Sequence, residues 1–314
     1  MTEKETHVPV LLAECMEYLA PRPGGIYVDA TLGGGGHSRA ILSSISPGGT
    51  LIGIDRDPDA IANASRRLVS CEARVHLVRA NYSELPEVLD ALGIQKADGI
   101  LCDLGLSSFQ LEHSKRGFSF LRDEPLLMSM DGDSSGMTAE ELVNAAPEED
   151  LAFIFRELGE EPHARAVARA IVREREKGRI SSSLALAGLI HRVKKPFSRG
   201  RERIHLATQC FQAIRMSVND ELGHLARLLS VFPGVLAPGG RMCVISFHSL
   251  EARMVKSRFR ELAGECICPP DLPCSCGRVA RGRIVTKKAV KPGAAEVSEN
   301  PRSRSARLRV FESF

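Results

Sequence analysis

Four consecutive glycines, Gly33 to Gly36, follow a short hydrophobic segment that includes Tyr27 and Val28. Helical spacing begins directly after them, from Ser38 to Leu42. A strand therefore turns into a helix through a loop without side chains. Such a loop lets a ligand approach the backbone closely and leaves the N–H groups of the helix N-terminus facing it. Glycine clusters also occur as plain flexible turns, so the loop alone does not establish a binding site.

An acidic residue follows the next strand at a spacing typical of nucleotide binding. Thr50 to Ile54 is a hydrophobic run, and Asp55 comes directly after it, 19 residues after Gly36. In nucleotide-binding α/β sheets, an acidic residue roughly 20 residues after the glycine loop holds a ribose hydroxyl. The pattern fits either a dinucleotide or S-adenosylmethionine. Four consecutive glycines match any spacing of glycines in a binding motif, so the loop does not distinguish the two ligands.

Two later segments favour S-adenosylmethionine. A predicted strand from Ala97 to Cys102 ends at Asp103, and a Pro-Gly-Gly turn at 238–240 leads into a strand at 242–246. This layout is that of a Rossmann-like class I methyltransferase sheet, which is the predicted fold. An NAD-dependent oxidoreductase is the alternative enzyme, but the sequence offers no group that would handle a hydride.

The alternation of strands and helices stops near Leu111. The following hundred residues have helical spacing at 140–143, 150–158, 163–177 and 184–193, and a further amphipathic helix is predicted at 218–229. We therefore predict three segments: a donor-binding core at 1–110, an inserted all-helical lobe for substrate recognition at 111–215, and the rest of the core with a basic tail at 216–314.

The net charge of +3 is unevenly distributed. Residues 277–314 carry ten Lys and Arg against three Asp and Glu, and residues 192–203 carry six basic residues and one Glu. Two basic stretches beside a methyl-donor site favour a polyanionic substrate. No apolar run approaches the roughly 20 residues that span a bilayer, and the first residues do not resemble a signal peptide, so we expect a cytoplasmic protein without membrane contact.

Nine cysteines in a cytosolic chain are expected to be thiols or metal ligands rather than disulfides. Four of them form two C-x-C pairs separated by five residues: Cys266, Cys268, Cys274 and Cys276. Zinc sites more often use C-x₂₋₄-C pairs. The sequence therefore leaves metal binding open, and no metal is assigned to the functional site.

Longer motifs occur along the whole chain. They are His7-Val8-Pro9-Val10-Leu11, the loop from Asp29 to Ser38, Asp103 to Ser108, Arg116 to Phe120, Phe211-Gln212-Ala213, Val218 to Leu222, Ser246 to Glu251 and Asn300 to Arg307. Together they resemble the RsmH (MraW) family of bacterial 16S ribosomal RNA cytosine-N4 methyltransferases. The resemblance implies S-adenosylmethionine-dependent methylation of a cytidine in the decoding region of 16S ribosomal RNA within the small ribosomal subunit. It implies no obligate protein partner and leaves the oligomeric state open.

The resemblance also implies a set of site residues. The donor is expected to be held by Gly35, Gly36, His37, Asp55, Tyr82, Asp103 and Gln110. For Tyr82, simple packing over a strand end is the alternative. Asp103, or a main-chain carbonyl beside it, is also expected to accept a hydrogen bond from the cytosine amine. The rival role for Asp103 is donor binding alone, and the two roles are compatible. The expected cytidine pocket contains Ser107, Ser108, Ser246 and His248, with Phe247 as an aromatic platform for the base.

Three departures from the family's usual pattern involve four positions. Leu127 and Ser129 stand where the family usually has Asp and Arg, Ala252 stands where it usually has Asp, and Phe109 where it commonly has Pro. The first departure removes a pair of opposite charges. A non-catalytic RNA-binding protein that keeps the fold is therefore the second alternative, and turnover of the methyl donor distinguishes it from an enzyme.

Overall fold

The chain divides into two units in a computed structural model, which describes residues 9–68, 72–132, 136–198, 205–266, 268 and 275–314. The first unit, here called the core unit, consists of residues 1–105 and 223–314, and the second, the helical unit, of residues 106–222. The sequence placed these boundaries at 110/111 and 215/216. Each unit has its own hydrophobic core.

A seven-stranded sheet organises the core unit. Its strands in chain order are β1 (Ile26–Asp29), β2 (Thr50–Asp55), β3 (Arg74–Arg79), β4 (Ala97–Asp103), β5 (Leu236–Ser246), β6 (Gly282–Ile284) and β7 (Arg307–Ser313). The spatial order is β3-β2-β1-β4-β5-β7-β6, with parallel pairing from β3 to β5 and antiparallel pairing of β7 with both neighbours. The chain order reverses between β1 and β4, and ligands of such sheets bind at the carboxyl ends of strands at this point. The predicted Rossmann-like sheet is confirmed.

Thirteen helices are described along the chain. They are α1 (Leu12–Leu19), α2 (Gly36–Ile45), α3 (Pro58–Arg67), α4 (Leu85–Ala91), α5 (Ser108–Glu112), α6 (Ala139–Ala145), α7 (Glu148–Glu157), α8 (Ala164–Arg175), α9 (Ser183–Lys194), α10 (Thr208–Val218), α11 (Glu221–Val235), α12 (Ser249–Leu262) and α13 (Ala294–Glu299). None of the helices in the described part of the chain has the length and apolar character needed to cross a membrane.

Both faces of the sheet are covered, which explains why its central strands are continuous hydrophobic runs rather than alternating patterns. Successive residues of β2 and β4 enter different cores. Ile52 and Ile100 lie in one cluster with residues of α11 and α12, and Leu51 and Leu101 lie in the other with residues of α1 and α2.

The helical unit packs around one core, which includes Phe155, Val167, Ile171, Ile190 and Ile214. Its helices α6 to α9 coincide with the predicted helical segments, whereas α10 was not predicted. The predicted helix at 218–229 is wrong at its start, because α10 ends at Val218 and Asp220 adopts a φ of 45° before α11 begins.

The Pro-Gly-Gly segment lies inside β5 as an irregularity rather than before it. Leu236 pairs with Ala97, and the next paired residue, Arg241, lies opposite Gly99. Residues 237–240 therefore bulge out of the ladder between two paired segments of the same strand.

The basic stretch at 192–203 is not uniformly a solvent-facing surface. Lys194 is 6% exposed, and its ammonium group donates hydrogen bonds to the carboxylate of Glu161 and the carbonyl of Leu206. The expectation that Lys194 contributes to a surface for polyanions is therefore wrong, since this charge is buried within the helical unit. Residues 199–203 lie outside the described residues.

Candidate active site

The start of α2 is held in place by the segment that precedes α1. Gly35 is the N-cap residue of α2 and makes no side-chain cap. A Cβ added to Gly36 would lie 2.3 Å from Pro9 Cγ, so only glycine permits this approach. The buried His37 ring places Nε2 3.0 Å from the carbonyl oxygen of Val10. The His37 ring therefore has a packing role at the start of α2.

We expect Gly36→Ala to lower the free energy of unfolding by about 1–3 kcal/mol, because the added methyl group overlaps a rigid proline ring. Urea unfolding followed by circular dichroism measures this change. Gly34→Ala is the matched control, because the atom nearest to its added Cβ is 3.9 Å away and its stability should change little. Equal stability of the two variants would show that Pro9 does not constrain the loop.

Asp55 ties the glycine loop to the end of β2. One carboxylate oxygen accepts the N–H of Gly33 at 2.8 Å, and the other accepts the N–H of Asp57 at 2.9 Å. Burial raises the pKa of Asp55 to about 6, against the lowering effect of these hydrogen bonds. Each carboxylate oxygen has a second lone pair, so the group retains the capacity to accept hydroxyl donors from a ligand.

Two further carboxylates, those of Asp29 and Asp103, lie at the ends of β1 and β4. Asp29 is 1% exposed and accepts a hydrogen bond from the Ser38 hydroxyl at 2.7 Å. The backbone N–H of Asp103 donates to Thr31 Oγ1 at 2.6 Å, which joins the loop after β1 to the end of β4. Burial raises the pKa of each carboxyl group to about 7, and the charge of Asp29 contributes further to the shift of Asp103. Sequence analysis had quoted Asp29 in the loop without assigning it to the site.

We expect the ligand-free protein to lose stability as the pH rises from about 4 to about 7. The pKa values of Asp29 and Asp103 are about 7 in the folded chain against 3.8 as the ordinary value. Between these values the folded state binds more protons than the unfolded state, so raising the pH favours unfolding. Urea unfolding of the native chain and of Asp103→Asn across this range measures the effect. The variant should show a weaker dependence, and an unchanged dependence would contradict the assignment.

Tyr82 follows β3, the strand that pairs with β2 in register Asp55 to Arg79. Its ring meets that of His224 edge to face with centroids 6.4 Å apart, and Ser83 Oγ lies 3.0 Å from His224 Nδ1. The Tyr82 side chain is partly buried against the core. It thus packs over the strand end and keeps part of its surface open at the edge where β2 also ends.

The ring of Phe247 lies against the backbone that follows Asp103. A Cβ added to Gly105 would be 2.8 Å from Phe247 Cε2, so glycine is required for this contact. The N–H of Leu104 donates to the carbonyl of Ile245 at 3.0 Å and continues the pairing of the two strands. An aromatic ring and a carboxylate are thus brought to neighbouring positions at the carboxyl ends of β4 and β5.

The other residues of the Ser-Phe-His-Ser motif are engaged within the core unit. Ser246 is 2% exposed, and its hydroxyl donates to the carbonyl of Arg307 in β7 at 3.3 Å. His248 caps α12, and its Nε2 lies 3.0 Å from a carboxylate oxygen of Glu251, whose other oxygen accepts the N–H of Phe247 at 2.8 Å. We therefore leave Ser246 out of the proposed pocket. Sequence analysis missed Glu251, although the spacing of three residues from His248 is that of a capping box.

Ser107, Ser108 and Gln110 belong to the helical unit. Ser107 Oγ accepts the N–H of Gln110 at 3.1 Å, and Gln110 Oε1 accepts the N–H of Ser107 at the same distance. The two side chains form a capping box that starts α5. The side chain of Ser108 lies outside what the structure describes.

The segment that departs from the family pattern is held by Asn219. Its amide nitrogen donates to the carbonyl of Met128 at 2.7 Å, and its Oδ1 accepts the N–H of Met130 at 2.8 Å. Ala139 N–H also donates to the carbonyl of Leu127. These bonds use the backbone of the segment, so they do not depend on which side chains occupy positions 127 and 129.

Comparison with known proteins identifies the family to which this chain belongs. The "Ribosomal RNA small subunit methyltransferase H" of Geobacter sulfurreducens is 52% identical over 98% of this chain and 99% of its own length. Its namesake from Anaeromyxobacter dehalogenans is 51% identical over 98% of both chains. A solved rRNA methylase from Streptococcus thermophilus shares 9% identity over 98% of this chain and 99% of that chain with a TM-score of 0.42, too weak a likeness to carry an argument. The profile of the MraW methylase family matches residues 4–314, and the chain belongs to this family.

Proposed function

We propose that this methylase transfers a methyl group to N4 of a cytidine in the decoding region of 16S ribosomal RNA. The observation that carries the proposal is that the Phe247 ring lies against Gly105, two residues after the Asp103 carboxylate at the end of β4. A carboxylate accepts hydrogen bonds from the cytosine amine, and an aromatic face stacks on a base that has left its helix. The relatives' name, with its small-subunit ribosomal RNA, supports the same substrate and a cytoplasmic location.

The residues of the core unit fit S-adenosylmethionine, which supplies an electrophilic methyl group on a sulfonium sulfur. Gly35, the N-cap residue of α2, has no side chain that would keep a ligand away from the backbone of the glycine loop. Asp55 has acceptor capacity for ribose hydroxyls, and Tyr82 has an open ring surface near the end of β3 for the adenine. Gly35, Gly36, His37 and Gln110 complete the proposed set of donor-binding residues.

Asp103 carries the chemical part of the proposal. The N4 lone pair of cytosine is delocalised into the ring, so a hydrogen-bond acceptor on the amine is needed to direct that lone pair towards the methyl group. As the nitrogen–carbon bond forms and the carbon–sulfur bond breaks, N4 acquires a positive charge and loses a proton. A carboxylate with a pKa of about 7 is suited to accept that proton near neutral pH.

Substrate recognition is assigned to the helical unit and to the basic tail. Several cationic residues of the tail have exposed side chains, and such charges attract an RNA backbone without reading its sequence. They are Arg281, Lys287, Lys288, Lys291 and Arg304. Ser107, Ser108 and His248 remain the proposed neighbours of the cytidine.

Transfer of labelled methyl groups from S-adenosylmethionine tests this function. The acceptors are small ribosomal subunits that lack the modification and the same 16S RNA freed of protein, followed by nucleoside analysis of each product. We expect label in N4-methylcytidine with at least one acceptor. Label in another nucleoside would overturn the proposed position of methylation. No label despite measured donor binding would favour the non-catalytic alternative and direct attention to Leu127 and Ser129.

A further inference from the structure

Three cysteines of the core unit converge in the segment between α12 and β6. The sulfur atoms of Cys266, Cys268 and Cys276 all lie within 4.8 Å of one another. Those of Cys266 and Cys276 are 3.8 Å apart. Thiolates bound at about 2.3 Å from a tetrahedral zinc ion have sulfurs about 3.8 Å apart. The spacing of this pair is thus that of two ligands of one ion.

The backbone around these sulfurs is arranged as it is around bound thiolates. The N–H of Cys268 points to Cys266 Sγ at 3.4 Å, and the N–H of Ser275 points to Cys268 Sγ at 3.3 Å. Such N–H donors offset the negative charge that thiolates bring to a metal, and they fix the direction of each sulfur.

The described residues of this segment are held by hydrogen bonds rather than by buried side chains. Its ends meet where the N–H of Arg281 donates to the carbonyl of Leu262 at 2.8 Å, which closes a loop of residues 263–280. Among the described residues of this loop none is buried, and Val279 is 79% exposed. A metal is one way to order a segment whose described residues add nothing to a hydrophobic core.

We propose that Cys266, Cys268 and Cys276 bind one zinc ion as thiolates and that this ion orders the loop between α12 and β6. Three thiolates leave one position of a tetrahedral ion for a fourth ligand. Cys274 lies outside the described residues. The site is separate from the proposed methyl-transfer residues, so the loss of either proposal leaves the other intact.

Metal analysis of the full chain tests this proposal. The protein is purified with a thiol reductant and without chelators, and its zinc content is measured by mass spectrometry. Replacement by Co²⁺ then gives a thiolate charge-transfer band and the visible bands of tetrahedral geometry. We expect about one zinc per chain and both spectral features. Methyl transfer is not needed as a readout.

Cysteine variants distinguish a specific zinc site from nonspecific metal binding. Cys266→Ser combined with Cys276→Ser should retain less than about a tenth of the zinc, because two of the thiolates are removed. Val279→Ala changes an exposed side chain of the same loop and should keep the full zinc content. Circular dichroism confirms that each variant is folded. A native chain without zinc and without the cobalt bands, whether its cysteines are reduced or disulfide-bonded, would overturn the proposal.

Discussion

Asp103→Asn is expected to reduce the single-turnover rate of methyl transfer by about 10²- to 10⁴-fold, the range of a lost proton acceptor. Asparagine keeps the size of the side chain and its acceptance of the Gly105 N–H, which in the native chain lies 3.4 Å from Asp103 Oδ1. It removes the negative charge and the ability to take the amine proton. The rate is measured with saturating donor and small ribosomal subunits, and donor affinity is measured in parallel by calorimetry.

The comparison of rate and affinity decides what Asp103 does. A slow variant that binds the donor normally assigns the residue to the acceptor amine, whereas a matching loss of affinity assigns it to the donor. Asp90→Asn is the control, since Asp90 is an exposed carboxylate at the end of α4 and its loss should leave the rate unchanged. Full activity of Asp103→Asn would contradict both roles.

Lys194→Met should destabilise the helical unit by about 3–5 kcal/mol, because it leaves the Glu161 carboxylate buried without its cation. Glu161 is 2% exposed, so water cannot replace the lost partner. We expect Lys194→Met combined with Glu161→Gln to recover most of this loss, since the pair of changes removes both charges and keeps both shapes. Urea unfolding of the full chain gives the free energies for the double-mutant cycle.

An exposed ion pair of the same unit provides the reference. Arg169 and Glu148 are 3.4 Å apart with side chains 58% and 40% exposed. Such pairs contribute about 0–1 kcal/mol, so Arg169→Met should have a small effect. If Lys194→Met costs no more than Arg169→Met, the buried pair does not stabilise the helical unit.

The central strands β1, β2 and β4 were predictable from the sequence because they are hydrophobic runs that end in aspartate. β6 was not, because Gly282-Arg283-Ile284 has no such run and is defined only by its pairing with β7. α10 was missed for a related reason, since its N-cap is Ala207, which makes no side-chain cap. The break before α11 falls at Asp220, without a glycine or proline to mark it.

The sequence predicted which residue types lie at the strand ends of the candidate site. It did not predict which of these side chains form hydrogen bonds within the protein. The hydroxyl of Ser246 bonds to Arg307, which is 61 residues away in the sequence, and no local pattern indicates this bond. The capping box of Ser107 and Gln110 is local and has the usual spacing, yet a functional role was the more conspicuous hypothesis. Side chains committed to such internal bonds are distinguished from ligand contacts only by the folded structure.

The short bond from the backbone of Asp103 to Thr31 Oγ1 has a consequence for how methyl transfer is aligned. It connects the loop that would cradle the donor with the carboxylate that would meet the acceptor, so the two cannot shift independently. An in-line displacement tolerates little error in the approach of its reacting atoms. If the loop and Asp103 have the proposed roles, Thr31→Val removes this connection, and we expect it to misalign donor and acceptor.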